Sequence, residues 1–452
     1  MKETKFKQTL VQTKDERRKT KEDTRHCEEH SDVAIQSGFK MAEVGMIPNN
    51  WEIKPLKDIA DLKAGKMTSY NDFNPKYPCF GGNGIRAYLS HYSHDGIYPI
   101  IGRQGELCGN VNLAKGKFYA TEHAVVASPK KDIDAIWLYY QLTALNLNQY
   151  ATGCAQPGLS VEKINEVYTQ VPPTIEEQQR IANALSDVDT LIANLEKLIA
   201  KKKNIKQGAM QQLLTGKKRL PGFGSDERRE MKKGNRHCEE RSDAAIQSGY
   251  KMTEVGFIPN DWIVEPLANI ANTASGGTPS RSKETFYKGP IKWFTTTELR
   301  DCNLYDSVEH ISKQAVECSS AKIFPKDTLL MAMYGATIGK LGLLKCDAAT
   351  NQACCAIFPK KTDVLYLYYF LLYNRENIIA MGCGAGQPNV SQEIVKKINI
   401  PLPPTVKEQT AIANVLSDMD TEIATLETKL AKYRKLKIGM MQQLLTGKIR
   451  LV

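Results

Sequence analysis

The chain has 452 residues, 42% of them hydrophobic and 25% charged, a composition that excludes a small disulfide scaffold. Its longest nearly uninterrupted apolar stretch, residues 364–373, is about half as long as a transmembrane helix requires, so the sequence predicts no membrane span. Lys and Arg number 61 against 50 Asp and Glu, and the net charge of +11 favours an acidic polymer such as nucleic acid as a partner.

The first 45 residues are rich in charge and lack the apolar stretch that a secretory signal contains. We therefore predict a charged, mobile extension over residues 1–45 and place the protein in the cytoplasm. The 11 cysteines form no CxxC pair, and the adjacent Cys354 and Cys355 are poorly placed for a disulfide bridge or for paired zinc ligands. We expect the cysteines to be reduced and mostly buried.

The chain contains an internal repeat. Residues 25–51 return at 236–262 with 21 of 27 positions identical, and residues 156–220 return in similar form from position 387. Self-similarity on this scale indicates duplicated structural units. Between these flanks the two middles share little beyond one apolar helix each, IWLYYQL from Ile136 and LYLYYFL from Leu365. The repeat therefore predicts two modules of one general fold that present different surfaces.

Both middles have a mixed pattern. Short β-branched and aromatic stretches bounded by glycine, such as IYPIIG and TLLMAMYG, accompany helical segments at 135–147 and 364–374. This mixture predicts an α/β fold in each module.

In chain order, the predicted segments are an extension at 1–45, a first module at 46–173, a long helix at 174–216, a basic linker at 217–256, a second module at 257–404 and a second long helix at 405–452.

The repeated tails have the periodicity of a coiled coil, with apolar residues at alternating spacings of three and four. The predicted seam comprises Ile181, Leu185, Val188, Ile192, Leu195, Ile199, Ile412, Leu416, Met419, Ile423, Leu426 and Leu430. A long helix with so narrow a stripe needs a partner helix, and the other copy is the obvious one. Packing of each tail on its own module is the alternative. Lysines 201–203 and Lys206 interrupt the stripe of the first copy, where we expect a looser seam.

The ends of both long helices have recognisable signals. Each tail starts after a pair of prolines, which suit the beginning of a helix. Each stops at a Thr-Gly step, at Gly216 and Gly447, where glycine suits the left-handed conformation that ends many helices.

Three motifs resemble catalytic or metal-binding patterns but are incomplete. HCEEH at 26–30 has the spacing of an inverted zinc-protease motif, yet its duplicate carries Arg241 in place of the second histidine. NPKY at Asn74 lacks the second proline of the amino-methyltransferase loop. GATIGKL at Gly335 is one residue short of a phosphate-binding loop and has Leu341 where Ser or Thr belongs. We therefore predict no catalytic residue and no metal site.

The repeated motifs resemble those of a known family. VPPTIEEQQRIANALSDVD and PLPPTVKEQTAIANVLSDMD, two MQQLLTGK-x-RL endings, and the phrases EVGMIPNNW and EVGFIPNDW are similar to the specificity subunit of type I restriction-modification systems. The resemblance covers residues 40–452. It implies two target recognition domains, each reading half of a split DNA site, joined by two long helices in an antiparallel coiled coil with a pseudo-twofold internal repeat. It also implies that the chain itself is not an enzyme.

The resemblance further implies partners and their cofactors. Two modification subunits would carry S-adenosylmethionine and methylate adenine, and two restriction subunits would use ATP and Mg²⁺ to cut DNA. The chain itself would bind double-stranded DNA, no cofactor and no membrane. The alternatives are a free-standing DNA methyltransferase and a coiled-coil scaffold without base-specific recognition.

Loop residues of the two modules are the candidate DNA contacts, because long polar side chains read base edges in the grooves of DNA. By residue type and predicted position, the candidates are Arg86, Arg103, Gln104, Arg281, Thr296, Lys340 and Gln352. The duplicated RHCEE segments depart from the family pattern and look like a translated nucleotide repeat, so we expect them to be mobile or loosely docked. Unlike loops on a repeated frame predict an asymmetric, interrupted DNA site.

Overall fold

The computed structural model describes residues 38–42, 45–69, 74–153, 157–223, 249–382 and 389–451. These residues form two compact units, one reaching Glu196 and resuming at Thr428, the other spanning Lys197–Glu427. Both RHCEE copies and most of the predicted extension and linker lie outside the described residues.

The first unit is built on a six-stranded sheet of order β4-β9-β7-β8-β5-β6. Two further strand pairs, β1 with β2 and β3 with β10, lie at the beginning and end of the module. The strands are β1 (Phe39–Ala42), β2 (Gly45–Pro48), β3 (Glu52–Pro55), β4 (Ala60–Ala64), β5 (Tyr77–Gly81), β6 (Gly84–Leu89), β7 (His94–Gly102), β8 (Val111–Ala120), β9 (Ala124–Pro129) and β10 (Tyr168–Val171). The helices are α1 (Leu56–Ile59), α2 (Ala135–Ala144), α3 (Val161–Asn165) and the first part of α4 (Ile175–Leu213), with a 3-10 turn at Leu147–Tyr150.

The second unit repeats this plan with a divided sheet. Its sheets have the orders β14-β22-β19-β20-β16 and β17-β15-β21-β18, and β11–β12 and β13–β23 form separate pairs. The strands are β11 (Tyr250–Thr253), β12 (Gly256–Pro259), β13 (Ile263–Pro266), β14 (Ala271–Ser275), β15 (Ile291–Phe294), β16 (Cys302–Leu304), β17 (Glu309–Ile311), β18 (Ile323–Phe324), β19 (Leu329–Ala332), β20 (Leu341–Leu344), β21 (Ala348–Thr350), β22 (Cys354–Pro359) and β23 (Asn399–Leu402). The helices are α5 (Leu267–Ile270), α6 (Lys313–Glu317), α7 (Val364–Tyr373), α8 (Arg375–Met381), α9 (Gln392–Lys396) and α10 (Val406–Leu444), with 3-10 turns at Glu284–Tyr287 and Thr296–Glu298.

The sheet divides because one long strand of the first module is two short strands in the second. β8 pairs with β7 from Val111 onward, and β20 pairs with β19 in the same way from Leu341. In the second module the chain leaves the first of these sheets at 345–347 and continues as β21 in the other sheet. β1 lies within the range predicted as extension and β11 within the range predicted as linker. Each is ordered there as a strand because it pairs with the strand that follows it.

The two long helices run antiparallel, which confirms the predicted pairing. In the first unit Asp189 of α4 contacts Lys437 of α10 at 2.6 Å, and Glu196 contacts Arg434 at 2.6 Å. As numbers rise along α4, those of its partners therefore fall along α10. In the second unit Lys206 binds Asp420 at 2.5 Å, the equivalent of the Asp189–Lys437 pair. No helix within the described ranges is long and apolar enough to cross a membrane.

The seam residues differ in burial. Eight of the predicted residues are buried, whereas Val188, Ile192, Met419 and Leu426 are half-buried. Where lysines interrupt the stripe of α4, ion pairs take over: Lys202 binds Glu422 at 2.6 Å and Lys203 binds Glu427 at 2.7 Å. Polar contacts thus continue the pairing where apolar ones stop.

Each core joins one module to both long helices. The first core contains Ile181 and Leu185 at the start of α4 together with Leu444 and Leu445 at the end of α10. The second core contains the equivalent Ile412 and Leu416 of α10, with Met210 and Leu213 of α4 and Leu214 directly after it. The start of each helix therefore packs on its own module, as the alternative interpretation proposes, and its end completes the core of the other.

The helix ends show why the Thr-Gly step is needed. Gly216 has a φ of +68° and Gly447 a φ of +71°, the left-handed conformation that the pattern predicts. A Cβ atom at Gly216 would lie 2.4 Å from Pro259, and one at Gly447 would lie 2.6 Å from Pro48. Glycine therefore ends the helix and also admits the entrance of the other module.

Buried ion pairs close both helix ends. The guanidinium of Arg450, after α10, donates to both carboxylate oxygens of Glu177 at 2.8 and 2.9 Å, and that glutamate side chain is 4% exposed. Arg219, after α4, donates to Glu408 at 2.6 and 2.8 Å, and the Glu408 side chain is 1% exposed. Each buried carboxylate at the beginning of one helix is thus neutralised from the end of the other.

We predict that replacing Arg219 with leucine lowers the free energy of unfolding by about 3–5 kcal/mol, because Glu408 is left buried without a cation. The double variant R219L/E408L should recover most of that loss, since it buries no unpaired charge. Urea denaturation measures both changes. The exposed Glu196–Arg434 pair supplies the control, and Arg434→Ala should cost less than about 1 kcal/mol. Equal destabilisation by the single and double variants would contradict this account.

Candidate nucleic-acid interface

Three loops of the first module meet in one cleft. They are the β5–β6 turn, the β7–β8 loop (103–110) and the β8–β9 turn (121–123). The backbone N–H of Thr121 donates to Phe80 at 3.0 Å, and that of Arg103 donates to His123 at 2.9 Å. Together they enclose about 430 Å³. The lining residues are Gly81, Gly82, Asn83, Gly84, Ile85, Arg86, Gln104, Gly105 and His123.

The glycines of this cleft allow a close backbone approach. A Cβ atom at Gly102 would lie 1.8 Å from the carbonyl oxygen of Gly82, so no other residue fits there. The β7–β8 loop is also held from the opposite side, where the N–H of Leu159 donates to Arg103 at 2.9 Å. The loop is therefore fixed in position and its tip faces solvent.

The second module has the same loops at equivalent positions. Its β19–β20 loop (333–340) has the same sequence of turns as 103–110, and the N–H of Met333 donates to Ala353 at 2.9 Å. The N–H of Asn351 donates to Phe294 at 3.0 Å, as Thr121 does to Phe80. The N–H of Val390 donates to Met333 at 2.8 Å, as Leu159 does to Arg103. The backbone of the cleft is thus repeated although its sequence is not.

The side chains at these loops differ between the modules. Gln104 and Arg86 are exposed at the first cleft, where Glu122 lies 3.1 Å from His123. The equivalent loops of the second module, which we call the second cleft, carry Tyr334, which is 39% exposed, and the half-buried Thr296. Its β21–β22 turn carries Gln352, which accepts a hydrogen bond from Thr278. One module therefore offers a guanidinium and an amide, and the other a phenol, a hydroxyl and an amide.

Four of the seven predicted contacts lie at these clefts: Arg86 and Gln104 in the first module, Thr296 and Gln352 in the second. Arg103 belongs to the same loop as Gln104 but is half-buried.

Arg281 lies in a different environment. Its guanidinium is 2.6 Å from the Glu309 carboxylate and 4.2 Å from the centre of the Tyr287 ring. The hydrogen bonds that this guanidinium donates to Glu309 raise the pKa of Arg281, which stays charged. Arg281 therefore has an anionic partner within the chain, and a phosphate or base would compete with Glu309 for it.

Lys340 is part of an ion-pair network that supports the second cleft. Its ammonium lies 2.9 Å from Asp301, which also binds Arg375. Asp301 accepts a further hydrogen bond from the N–H of Leu341 at 3.1 Å, and Arg375 donates to the carbonyl of Gly339 at 2.9 Å. Asp301 thus holds the end of the β19–β20 loop. In the first module Asn148 does this by donating to Cys108 at 2.8 Å.

Sequence reasoning missed Glu122, Tyr334 and Asp301. The sequence gives little sign that position 334 corresponds to position 104, because the loops share only two glycines, 105 with 335 and 109 with 339. That glycine spacing was the available signal. Within the described ranges no three His, Cys, Asp or Glu side chains cluster as they would around a metal ion. The HCEEH motif lies outside those ranges.

Comparison with known proteins identifies the family to which the chain belongs. The family model for the type I restriction modification DNA specificity domain matches residues 48–207 and 259–433, one match for each module and its long helix. Because these matches cover most of the chain, the chain belongs to the family of type I restriction-modification DNA specificity proteins.

Individual relatives support this family assignment. The EcoprrI type I restriction enzyme specificity subunit of Escherichia coli is 51% identical over 144 residues, which is 30% of this chain and 36% of that protein. The MjaVIII specificity subunit of Methanocaldococcus jannaschii is 24% identical over 449 residues, covering 92% of this chain and 96% of that protein. A type I S subunit from M. genitalium has a similar fold, with a TM-score of 0.59 at 18% identity over 90% of this chain and 97% of that one. These relatives favour a DNA specificity subunit over a free-standing methyltransferase or a scaffold.

We predict that Asp301→Asn loosens the β19–β20 loop. Asparagine tolerates the φ of +61° at this position, so the change removes the charge that holds Lys340 and Arg375 and little else. We expect the free energy of unfolding to fall by about 2 kcal/mol and amide hydrogen exchange at 335–341 to become faster, while the exchange rates at 105–110 stay unchanged.

Asp327→Asn is the matched control. Asp327 has a φ of +63° and pairs with Lys345, but its side chain is 50% exposed, so its replacement should cost less than about 1 kcal/mol. Unchanged exchange at 335–341 in the Asp301 variant would show that this network does not position the loop.

Proposed function

We propose that this specificity subunit reads an asymmetric, interrupted DNA site, with each module contacting one half-site through the loops of its cleft. The observation that carries this proposal is the repeated cleft backbone with unlike side chains. A common backbone supports a common mode of docking, and unlike side chains select unlike bases. The net charge of +11 favours the phosphate contacts that position such a protein on DNA.

The candidate contacts have distinct roles in this proposal. Arginine and glutamine side chains form paired hydrogen bonds with guanine and adenine edges respectively, so Arg86 and Gln104 are suited to base recognition. Arg103, half-buried in the same loop, is placed to contact base or phosphate. Thr296 and Gln352 would read the second half-site. Arg281 and Lys340 would contribute phosphate contacts, for which a phosphate must compete with Glu309 and Asp301.

The repeated frame supports assembly with partners. Each unit presents the same pairing of an α4 segment with an α10 segment, so each can offer an equivalent surface to one copy of a partner. We propose that these partners are two modification subunits, which use S-adenosylmethionine to methylate adenine, and two restriction subunits, which use ATP and Mg²⁺. Catalysis would belong to the partners, and the complex would act on DNA in the cytoplasm.

We predict that exchanging residues 52–152 for the same region of another specificity subunit changes one half-site and leaves the other unchanged. The exchange carries the first cleft entire, while α4 and α10 keep their pairing. Sequencing of methylated adenines in cells that express the exchanged chain with its modification subunits gives both half-sites at once.

Exchange of residues 263–382 is the reciprocal control and should change only the other half-site. A change in both half-sites after either exchange would refute the modular proposal. Loss of methylation at every site would instead show that the exchanged region is needed for assembly.

A further inference from the structure

We infer that Gln104 and Tyr334 occupy the same base-reading position in the two modules, and that Gln104 there recognises an adenine edge. This inference rests on the proposed function and assigns the choice of base to one residue in each cleft. Two flanking pairs of positions, 82 with 296 and 122 with 352, would modulate that choice.

Backbone hydrogen bonds establish the equivalence of positions 104 and 334. Gln104 follows Arg103, whose N–H donates to the carbonyl of His123 at 2.9 Å. Tyr334 follows Met333, whose N–H donates to the carbonyl of Ala353 at 2.9 Å. Each forms an isolated antiparallel bridge, Gln104 with Gly158 and Tyr334 with Asn389.

The turns that follow also match. Gly105 has a φ of +88° and Gly335 a φ of +82°, and a backbone hydrogen bond then spans three residues, from Cys108 to Gly105 and from Ile338 to Gly335. The side chains at 104 and 334 therefore leave the same backbone in the same direction.

The flanking pairs follow from the neighbouring hydrogen bonds. Phe80 and Phe294 accept from Thr121 and Asn351, so position 82 corresponds to 296 and position 122 to 352. In the first module Gly82 has no side chain beside Gln104, and a Cβ atom there would make a tight contact of 3.3 Å with the Gln104 carbonyl oxygen. In the second module Thr296 adds a hydroxyl and a methyl group at that place.

Position 104 is the best suited of the three to select a base. Glu122 is engaged with His123 and Gln352 with Thr278, so both must give up a contact before they reach DNA. Gln104 lies at the exposed edge of the cleft, and its backbone is fixed on two sides. A fixed backbone with an exposed amide can offer the donor and acceptor that match N7 and N6 of adenine. A tyrosine at the same place has one hydroxyl and an apolar ring, which cannot reproduce that pair.

The experiment uses the full chain in complex with its modification subunits and a pool of randomised DNA duplexes, with the bound fraction sequenced. Gln104→Tyr should reduce the preference for adenine at one position of the first half-site about tenfold or more and leave the second half-site unchanged. Tyr334→Gln should change one position of the second half-site only, and it provides an independent test if the first variant folds poorly. Leu107→Ala, on the same loop but outside the cleft lining, should leave both half-sites unchanged.

The outcomes separate the two proposals. Unchanged base preferences in both variants would overturn the assignment of position 104. A uniform loss of affinity for all sequences would overturn it as well, because a phosphate contact gives that result. If the unaltered complex selects no interrupted sequence, the proposed function itself fails.

Discussion

The frame of this protein, meaning the antiparallel pair of long helices α4 and α10, depends on one buried carboxylate in each helix that the helix itself cannot neutralise. Glu177 and Glu408 stand at the beginnings of the two long helices, and their side chains are 4% and 1% exposed. A carboxylate in such a place is costly unless a cation is held against it. Arg450 and Arg219 supply that cation from the end of the opposite helix. The two ion pairs therefore permit only the antiparallel arrangement, in one register.

The same reciprocity extends from charge to packing. Leu444 and Leu445 belong by sequence to the second copy but lie in the core of the first module, and Leu213 and Leu214 lie in the core of the second. Neither module has a complete core without the tail of the other copy. This arrangement keeps the frame constant while the clefts diverge, because the residues that hold the frame lie outside the β7–β8 and β19–β20 loops. A protein that must change its DNA site without losing its assembly needs that separation.

The sequence predicts the frame far better than the clefts, for a physical reason. The coiled-coil stripe and the glycine stops at Gly216 and Gly447 repeat local signals, and the antiparallel pairing implied by the family resemblance is confirmed. The Arg450–Glu177 pair could also have been found, since both residues recur in the other copy at the same offset. The clefts are set by backbone hydrogen bonds between distant strands, which leave almost no trace in residue type. The equivalence of Gln104 and Tyr334 therefore required the structure.

The distance between residues 179 and 448 tests the reciprocal frame most directly. Both are exposed and flank the Glu177–Arg450 ion pair. Spin labels introduced there through an unnatural amino acid, which avoids the native cysteines, should give one narrow distance distribution centred below roughly 25 Å, given helix axes about 10 Å apart and long label arms. Parallel helices would place position 448 beyond the far end of a 39-residue helix, roughly 50 Å or more from residue 179. That distance would contradict the account, and so would the absence of a short, narrow distribution if the helices lay apart.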